Sequence, residues 1–355
     1  MKRITYVSRF ASSLSQEDVD ALTTKAEGRN KSLGITGVLI ITGGFFFQII
    51  EGHDEVIDEL YARIEDDSRH CDIIRLATET DISTPAFPSW SMKMFDLDQG
   101  QTHRVRPFRR IVHVLTDTFT IMQRYVPAPV MTLLRQGINP STVVPHHANR
   151  VILFADMVAS SQFASFLTVD SLVRVINTYL TTCTGIVTAC GGEVNKFVGD
   201  CVMAVFPFEN VDGALTAAIE ILKTLENLRQ GAPSKSPLRT LHTGVGIAAG
   251  EVVEGNIGTE HRLDHTVLGR PVHRACALEA ASHGSPHALL TDDTVHNLTT
   301  RSWPWLSAGS VNLKGCPAGT MAWTLDLPAV IRARTGPSLE DLVSHHLSSI
   351  TTHET

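Results

Sequence analysis

Residues 37–52 read GVLIITGGFFFQIIEG. Two runs of β-branched and aromatic residues flank a Gly-Gly pair, the composition of a tight hairpin with buried strands. One residue breaks the apolar pattern. Gln48 sits among phenylalanines and isoleucines, and a buried amide without partners costs on the order of 1–3 kcal/mol. It either faces water or meets a group inside the protein that hydrogen-bonds it.

The neighbouring segments supply the rest of a small α/β sandwich of about 100 residues. Residues 3–8 alternate as a strand. Residues 15–30 read as a helix capped by Ser15, with Val19, Leu22 and Ala26 on one face. Residues 54–67 read as a second helix, with Val56, Ile57, Leu60 and Ile64 on one face, and IIRLATET and SWSMKMFDL read as strands. Strand alternation puts Phe46, Gln48 and Ile50 on one face, and Ile4, Tyr6 and Ser8 on one face of the first strand. Side by side, these strands bring the Tyr6 hydroxyl to the Gln48 amide. Asn30 closes the first helix and offers a second amide, and Trp90, Met92 and Met94 alternate further on.

A different pattern follows. Phe108, Val112, Leu115, Phe119, Met122 and Val126 recur at heptad spacing. The seam fits a helical dimer contact or a helix packed on its own domain. Pro127 and Pro129 are expected to end this helix, and the polar stretch NPSTVVPHHANR to complete a connection. From Val151 the order is strand, helix, two strands, helix, strand: VILFADMV, 172–190, the hairpin GGEVNKFVGDCVMAVF, 211–228 and LHTGVGIAAG. That order suits a ferredoxin-like α+β core; HTVLG, a helix near 270–282 and HALLTD extend it. The expected division is a first domain at 1–100, a helical linker at 101–149, the second α+β domain at 150–328 and a polar tail at 329–355.

The totals exclude several classes. Thirty basic against 37 acidic residues give a net charge of −7, the wrong sign for a nucleic-acid binder. No apolar run reaches the ~20 residues of a membrane-spanning helix, and MKRITYVSRF lacks a signal-peptide core. The six cysteines form no CxxC pair, which fits free thiols in a reducing cytoplasm. A soluble cytoplasmic protein is expected.

Taken together, Tyr6, Asn30 followed by Ile35-Thr36-Gly37, FFFQIIEG, Asp67-Ser68-Arg69-His70 and Pro88-Ser89-Trp90-Ser91-Met92 resemble a BLUF domain, the flavin-based blue-light sensor. The resemblance implies a flavin, FAD or FMN, lying between the two helices over the sheet. Asn30 and Gln48 would bond its polar edge, Tyr6 would bond Gln48, and Arg69 would approach the phosphate tail. Light would end in a rearranged Gln48, with Trp90 and Met92 carrying the change across the sheet.

Asp156 ends an apolar strand and Asp200 sits in the turn of KFVGD. Paired carboxylates at adjacent strand ends suit Mg²⁺, an oxygen-seeking ion that bridges to phosphates. In context, FADMV, GGEVNKFVGDCVMAVF, GEVVEGNIG, DHTVLGRPV and NLKG resemble class III nucleotidyl cyclases, and the order of the two domains is similar to photoactivated adenylyl cyclases. The resemblance implies two Mg²⁺ or Mn²⁺ ions on Asp156 and Asp200, Lys196 and Thr266 on the adenine, Lys314 as a further substrate-binding residue, ATP as substrate, cyclic AMP as product, and a homodimer.

One departure stands out. Relatives read an asparagine and an arginine where this chain has His273 and Ala277. Losing one donor to transition-state charge costs about 2.7–4 kcal/mol. His273 retains a donor, and Arg274, one turn before Ala277, is a candidate to cover the missing cation. The two readings are a light-regulated adenylyl cyclase of reduced rate, and a flavin photoreceptor whose silent cyclase domain binds nucleotide and signals by conformation.

Overall fold

The computed structural model describes residues 1–11, 24, 26–42, 44–88, 93–96, 106–136, 138–158, 160, 167–233, 236–259, 261–311 and 319–328. The chain forms two compact units, Met1–Thr142 and Val143 onward.

In the first unit β1 (Lys2–Phe10) leads into a helical stretch whose described part ends at residue 32. Gly34, at a φ of 66°, reverses the chain there. The Ile35 N–H then bonds the Asn30 carbonyl at 2.9 Å, a closure that only a left-handed residue permits cheaply. The chain continues through β2 (Thr36–Thr42), β3 (Phe45–Gly52), α1 (Asp54–Glu65), β4 (His70–Glu79) and β5 (Lys93–Asp96). The expected hairpin is present, with Ile41 opposite Phe46 and Leu39 opposite Gln48. The sheet order is β4-β1-β3-β2-β5, so its first four strands have the 4-1-3-2 order of a ferredoxin-like fold. Ile4, Tyr6, Phe46, Ile50, Ile57 and Tyr61 form the core between sheet and helices.

Two further helices, α2 (Arg106–Tyr125) and α3 (Ala128–Arg135), complete this unit. The first matches the expected linker helix. The second precedes the polar stretch NPSTVVPHHANR and is a helix that the sequence pattern did not single out. Pro127 and Pro129 do not merely end a helix; they open the next one, because a fixed φ and a missing N–H are harmless at a first turn. α3 buries Met131 and packs against β4.

The second unit runs β6 (His146–Met157), α4 (Val169–Ala189), β7 (Glu193–Val198), β8 (Cys201–Pro207), α5 (Val211–Gly231), β9 (Thr243–Thr259), β10 (Arg262–Leu268), α6 (Arg270–His283), β11 (Leu289–Thr291), α7 (Asp293–Leu298), β12 (Trp305–Val311) and β13 (Thr320–Leu325). Its sheet order is β12-β13-β11-β9-β6-β8-β7, with β10 paired to β9. The stretch β9-β6-β8-β7 repeats the 4-1-3-2 arrangement. The polar PHHANR segment, expected as linker, is the start of β6: His146 pairs with Glu254 of β9, and Arg150 meets the Glu254 carboxylate at 2.8 Å. Polar side chains there belong to a strand end facing solvent, which periodicity alone reads as loop.

The sheet is buried on both faces. Val151, Leu153 and Ala155 pack with α4 and α5, whereas Ile152, Phe154 and Met203 pack with Leu278 of α6. Two glycines let α6 lie close. A Cβ at Gly246 would meet the Ala275 carbonyl and the Glu279 nitrogen at 2.2 Å, and one at Gly244 would meet Ser282 Oγ at 2.2 Å. The glycines of LHTGVGIAAG therefore set the position of the last turn of α6. Among the described residues, no helix is long and apolar enough to cross a membrane.

Candidate functional sites

Tyr6 and Gln48 are direct cross-strand partners on β1 and β3, and the Tyr6 hydroxyl donates to Gln48 Oε1. Both side chains face a cavity of about 230 Å³ under the helices, with Asn30 in its wall. Tyr6 is 0 % exposed, Asn30 3 % and Gln48 8 %. Burial pushes the Tyr6 phenol far above its usual value, so it remains a proton donor. The Asn30 amide makes no hydrogen bond to any described residue, although it is buried and lines the cavity. A heteroaromatic ligand with donors and acceptors on one edge would satisfy it. The residues therefore fit an isoalloxazine ring.

His70 and Phe46 extend the wall, their rings 4.7 Å apart, and Ser8 Oγ lies 2.7 Å from His70 Nδ1. Burial lowers the His70 pKa below its ordinary value, which favours the neutral ring. Arg69 lies at the cavity rim but is held by both oxygens of Asp67. The guanidinium is thus paired with a carboxylate at the rim where a phosphate tail was expected to approach. Trp90 and Met92 lie outside the described residues.

Glu51 is a site residue that the sequence reading passed over. It is fully buried at the end of β3. Its carboxylate accepts from Arg3 Nε, from the Ala86 N–H at 2.9 Å and from the Phe87 N–H at 3.1 Å. The strand that carries Gln48 thus anchors the loop leading toward Trp90. The partner N–H groups stand 35 and 36 residues away, so no local pattern announces them.

In the second unit Asp156 closes β6, and Asp200 sits in the β7–β8 turn after Gly199, which has a φ of 68°. Burial, then the nearby charges of Asp200 and Glu279, pushes the Asp156 carboxyl up to about 7. Asp200 Oδ2 is buried with no hydrogen bond among the described residues. Two mutually repelling carboxylates, one with an oxygen lacking a hydrogen bond, are what a divalent cation relieves, so the pair fits a metal.

Lys196 on β7 and Thr266 on β10 lie on strands that meet through side chains and not through a shared ladder, and both are engaged. Lys196 Nζ lies 2.6 Å from Asp264 Oδ2, and Thr266 Oγ1 donates to Asn195 Oδ1 at 3.1 Å. Asp264 and Asn195 thus hold the two expected base-reading groups; a charged partner two residues from Thr266 was the only sequence signal. His273 is exposed on the first turn of α6. Arg274 Nη1 bonds Asp292 Oδ2 at 3.2 Å, and Asp292 is 1 % exposed. Arg274 therefore neutralises a buried carboxylate and is not spare for the Ala277 position. Ala277 packs on the apolar cluster under α6. Lys314 lies outside the described residues.

Comparison with known proteins matches this architecture. Residues 1–93 match the family model for sensors of blue light using FAD, BLUF, and residues 143–326 match that of the adenylate and guanylate cyclase catalytic domain. A photoactivated adenylate cyclase subunit beta from Euglena gracilis is 29% identical over 294 residues, covering 82% of this chain and 34% of the relative. Subunit alpha of the same organism is 28% identical over 293 residues, covering 82% and 29%. The chain thus spans about a third of the length of these curated relatives. A solved structure of a bacterial light-regulated adenylyl cyclase superposes with a TM-score of 0.90 at 34% identity, over 99% of this chain and 100% of that one. The chain belongs to the adenylate and guanylate cyclase catalytic domain family and carries a BLUF domain ahead of that catalytic domain.

Proposed function

We propose that the chain is a blue-light-regulated adenylyl cyclase converting ATP to 3′,5′-cyclic AMP and pyrophosphate. The observation that carries this reading is the coexistence, in one chain, of the Tyr6–Gln48–Asn30 cavity and the Asp156–Asp200 carboxylates, of which Asp200 Oδ2 is buried without a hydrogen bond among the described residues. Their order along the chain is that of the similar light-regulated adenylyl cyclase.

Bound FAD supplies light absorption and an electron acceptor. Asn30 and Gln48 hold its polar edge. Tyr6 holds Gln48 by its Oε1, which fixes which end of the amide faces the ligand. An amide has chemically distinct ends, so a turned or altered Gln48 exchanges a donor for an acceptor without moving the backbone. Such a change biases a two-state element nearby; Trp90 and Met92 are the proposed next links.

Two Mg²⁺ or Mn²⁺ ions on Asp156 and Asp200 supply Lewis-acid activation of the ribose 3′-hydroxyl and charge neutralisation on the triphosphate. Lys196 donates to adenine N1, which guanine cannot match because its N1 carries a proton; this favours ATP. Asp264 orients the ammonium, which keeps two of its three donors free. Thr266 meets the base from β10, His273 donates toward the ribose or phosphate, and Lys314 binds the triphosphate. Asp156 approaches the last turn of α6, whereas Thr266 precedes its first. A 14-residue helix is about 20 Å long, so the two halves complement each other across a homodimer better than within one chain. The location proposed is cytoplasmic.

The Arg274–Asp292 bond and the packed Ala277 favour a second reading, a photoreceptor with a silent nucleotide-binding cyclase domain. Cyclic AMP production by flavin-loaded protein in darkness and under blue light separates them. A light-dependent rise supports the enzyme. A normal flavin red shift with no product in either state supports the silent domain. In an active enzyme slowed by its departures, the double variant His273→Asn with Ala277→Arg raises the rate by about ten- to a hundredfold.

A further inference from the structure

The last turn of α6 places more donors beside Asp156. Glu279 and His283 are four residues apart and share one helix face. Gly244 and Gly246 let that face rest on β9, and Gly244 is the strand partner of Asp156. One donor atom each from Asp156, Glu279 and His283 falls within 4.8 Å of the others. Glu279 is 5 % exposed. Its Oε1 forms an ion pair with His283 Nε2 at 2.7 Å and accepts no well-directed hydrogen bond among the described residues. A buried carboxylate oxygen held only by an ion pair inside a three-donor cluster, with no directed hydrogen bond, is a ligand atom in waiting.

We propose that Asp156, Glu279 and His283 form a site for a borderline-soft divalent cation, Zn²⁺ foremost, which shares Asp156 with the Asp156–Asp200 pair. Two carboxylate oxygens and one imidazole nitrogen are a three-ligand Zn²⁺ set that leaves a fourth position open. Mg²⁺ demands oxygen ligands in an octahedron and keeps its water, so the imidazole discriminates against it. Bonds of about 2.0–2.2 Å set neighbouring tetrahedral donors roughly 3.3 Å apart. The Glu279–His283 pair therefore needs to open by only about half an ångström. A Zn²⁺ ion here withdraws Asp156 from Asp200, so Zn²⁺ and the hard cations exclude one another. This regulatory consequence rests on the cyclase reading; the binding itself does not.

The test is Zn²⁺ binding to the flavin-loaded full chain, by equilibrium dialysis with metal analysis and by chelator competition. The wild type is expected to hold one Zn²⁺. His283→Ala, Glu279→Gln and Asp156→Asn are each expected to weaken it roughly tenfold or more. The chain has 16 histidines, so His147→Ala, at an exposed histidine beside Glu251, serves as the control and is expected to bind as the wild type does. Circular dichroism identifies a misfolded variant, and the isosteric Glu279→Gln then decides. Absence of bound Zn²⁺ in the wild type, or Zn²⁺ held equally by the Glu279 and His283 variants, overturns the site. No step measures cyclic AMP, so a silent cyclase domain leaves this result readable, and an active enzyme that binds no Zn²⁺ refutes this proposal alone.

Discussion

Replacing Gln48 by alanine removes the cross-strand side chain that joins the Tyr6 hydroxyl to the cavity. The expected outcome is retained flavin uptake with loss of the light-induced red shift, read by absorbance before and after blue light. Ser8→Ala provides the contrast. It removes the His70 partner but leaves Tyr6 and Gln48 in place, so the shift is expected to persist. A red shift of normal size in Gln48→Ala would remove the amide from the switch. At this scale the sequence was most informative where one polar residue contradicts its surroundings. Gln48 was legible for that reason. Glu51 was not, because a carboxylate at a strand end reads as solvent-facing until its distant N–H partners are known. Arg274 likewise looked available on the helix face, and only the fold shows the buried Asp292 that holds it.

Elements add constraints that no single residue carries. Glu51 joins β3 to the loop at 86–87 and to β1. Burial raises its pKa, but the N–H groups of Ala86 and Phe87 with Arg3 lower it more, leaving it below the ordinary value. A depressed carboxylate contributes stability that is present above its unfolded pKa and lost as pH falls through the folded one. Glu51→Ala removes the acceptor of the Ala86 and Phe87 N–H groups and the buried partner of Arg3, a cost of about 1–3 kcal/mol at neutral pH. Denaturant melts across pH check this: the gap between wild type and variant is expected to close in acid, and a pH-independent gap would assign the loss to packing. On α2, Leu115 is 58 % exposed, with Val114 and Ile121 also exposed. If the heptad seam pairs two copies, Leu115→Glu shifts the protein toward monomer in sedimentation and leaves the melting of the first unit nearly unchanged. The helix itself was readable from its 3-4 spacing. α3 was hidden because proline both stops and starts helices, and the beginning of β6 was hidden because its polar residues pair with a strand about a hundred positions later.

The whole molecule repeats one design, a 4-1-3-2 sheet under helices, first around a ligand cavity and then around a charged strand-end pair. Both hairpins and the strand–helix order were visible in the sequence, which made the class of each unit legible; the placement of α6 was not, since it depends on the closeness that Gly244 and Gly246 allow. That placement has a consequence for assembly. It sets Asp156 beside the last turn of α6, while Thr266 and Lys196 gather near its start through Asn195 and Asp264. If a working site combines the metal half of one copy with the base half of another, Asp156→Asn and Lys196→Ala are each inactive alone. Mixed and allowed to exchange, half of the dimers carry one variant of each kind. One of the two sites in such a dimer then joins two intact halves, so activity returns to about a quarter of the wild type. Cyclic AMP production by the mixture, against each variant alone, measures this directly. A mixture as inactive as its components, under conditions where subunit exchange is demonstrated, would mean that each chain builds its site from its own residues, and the spacing along α6 would then require β10 and the Lys196 side chain to move toward Asp156 when nucleotide binds.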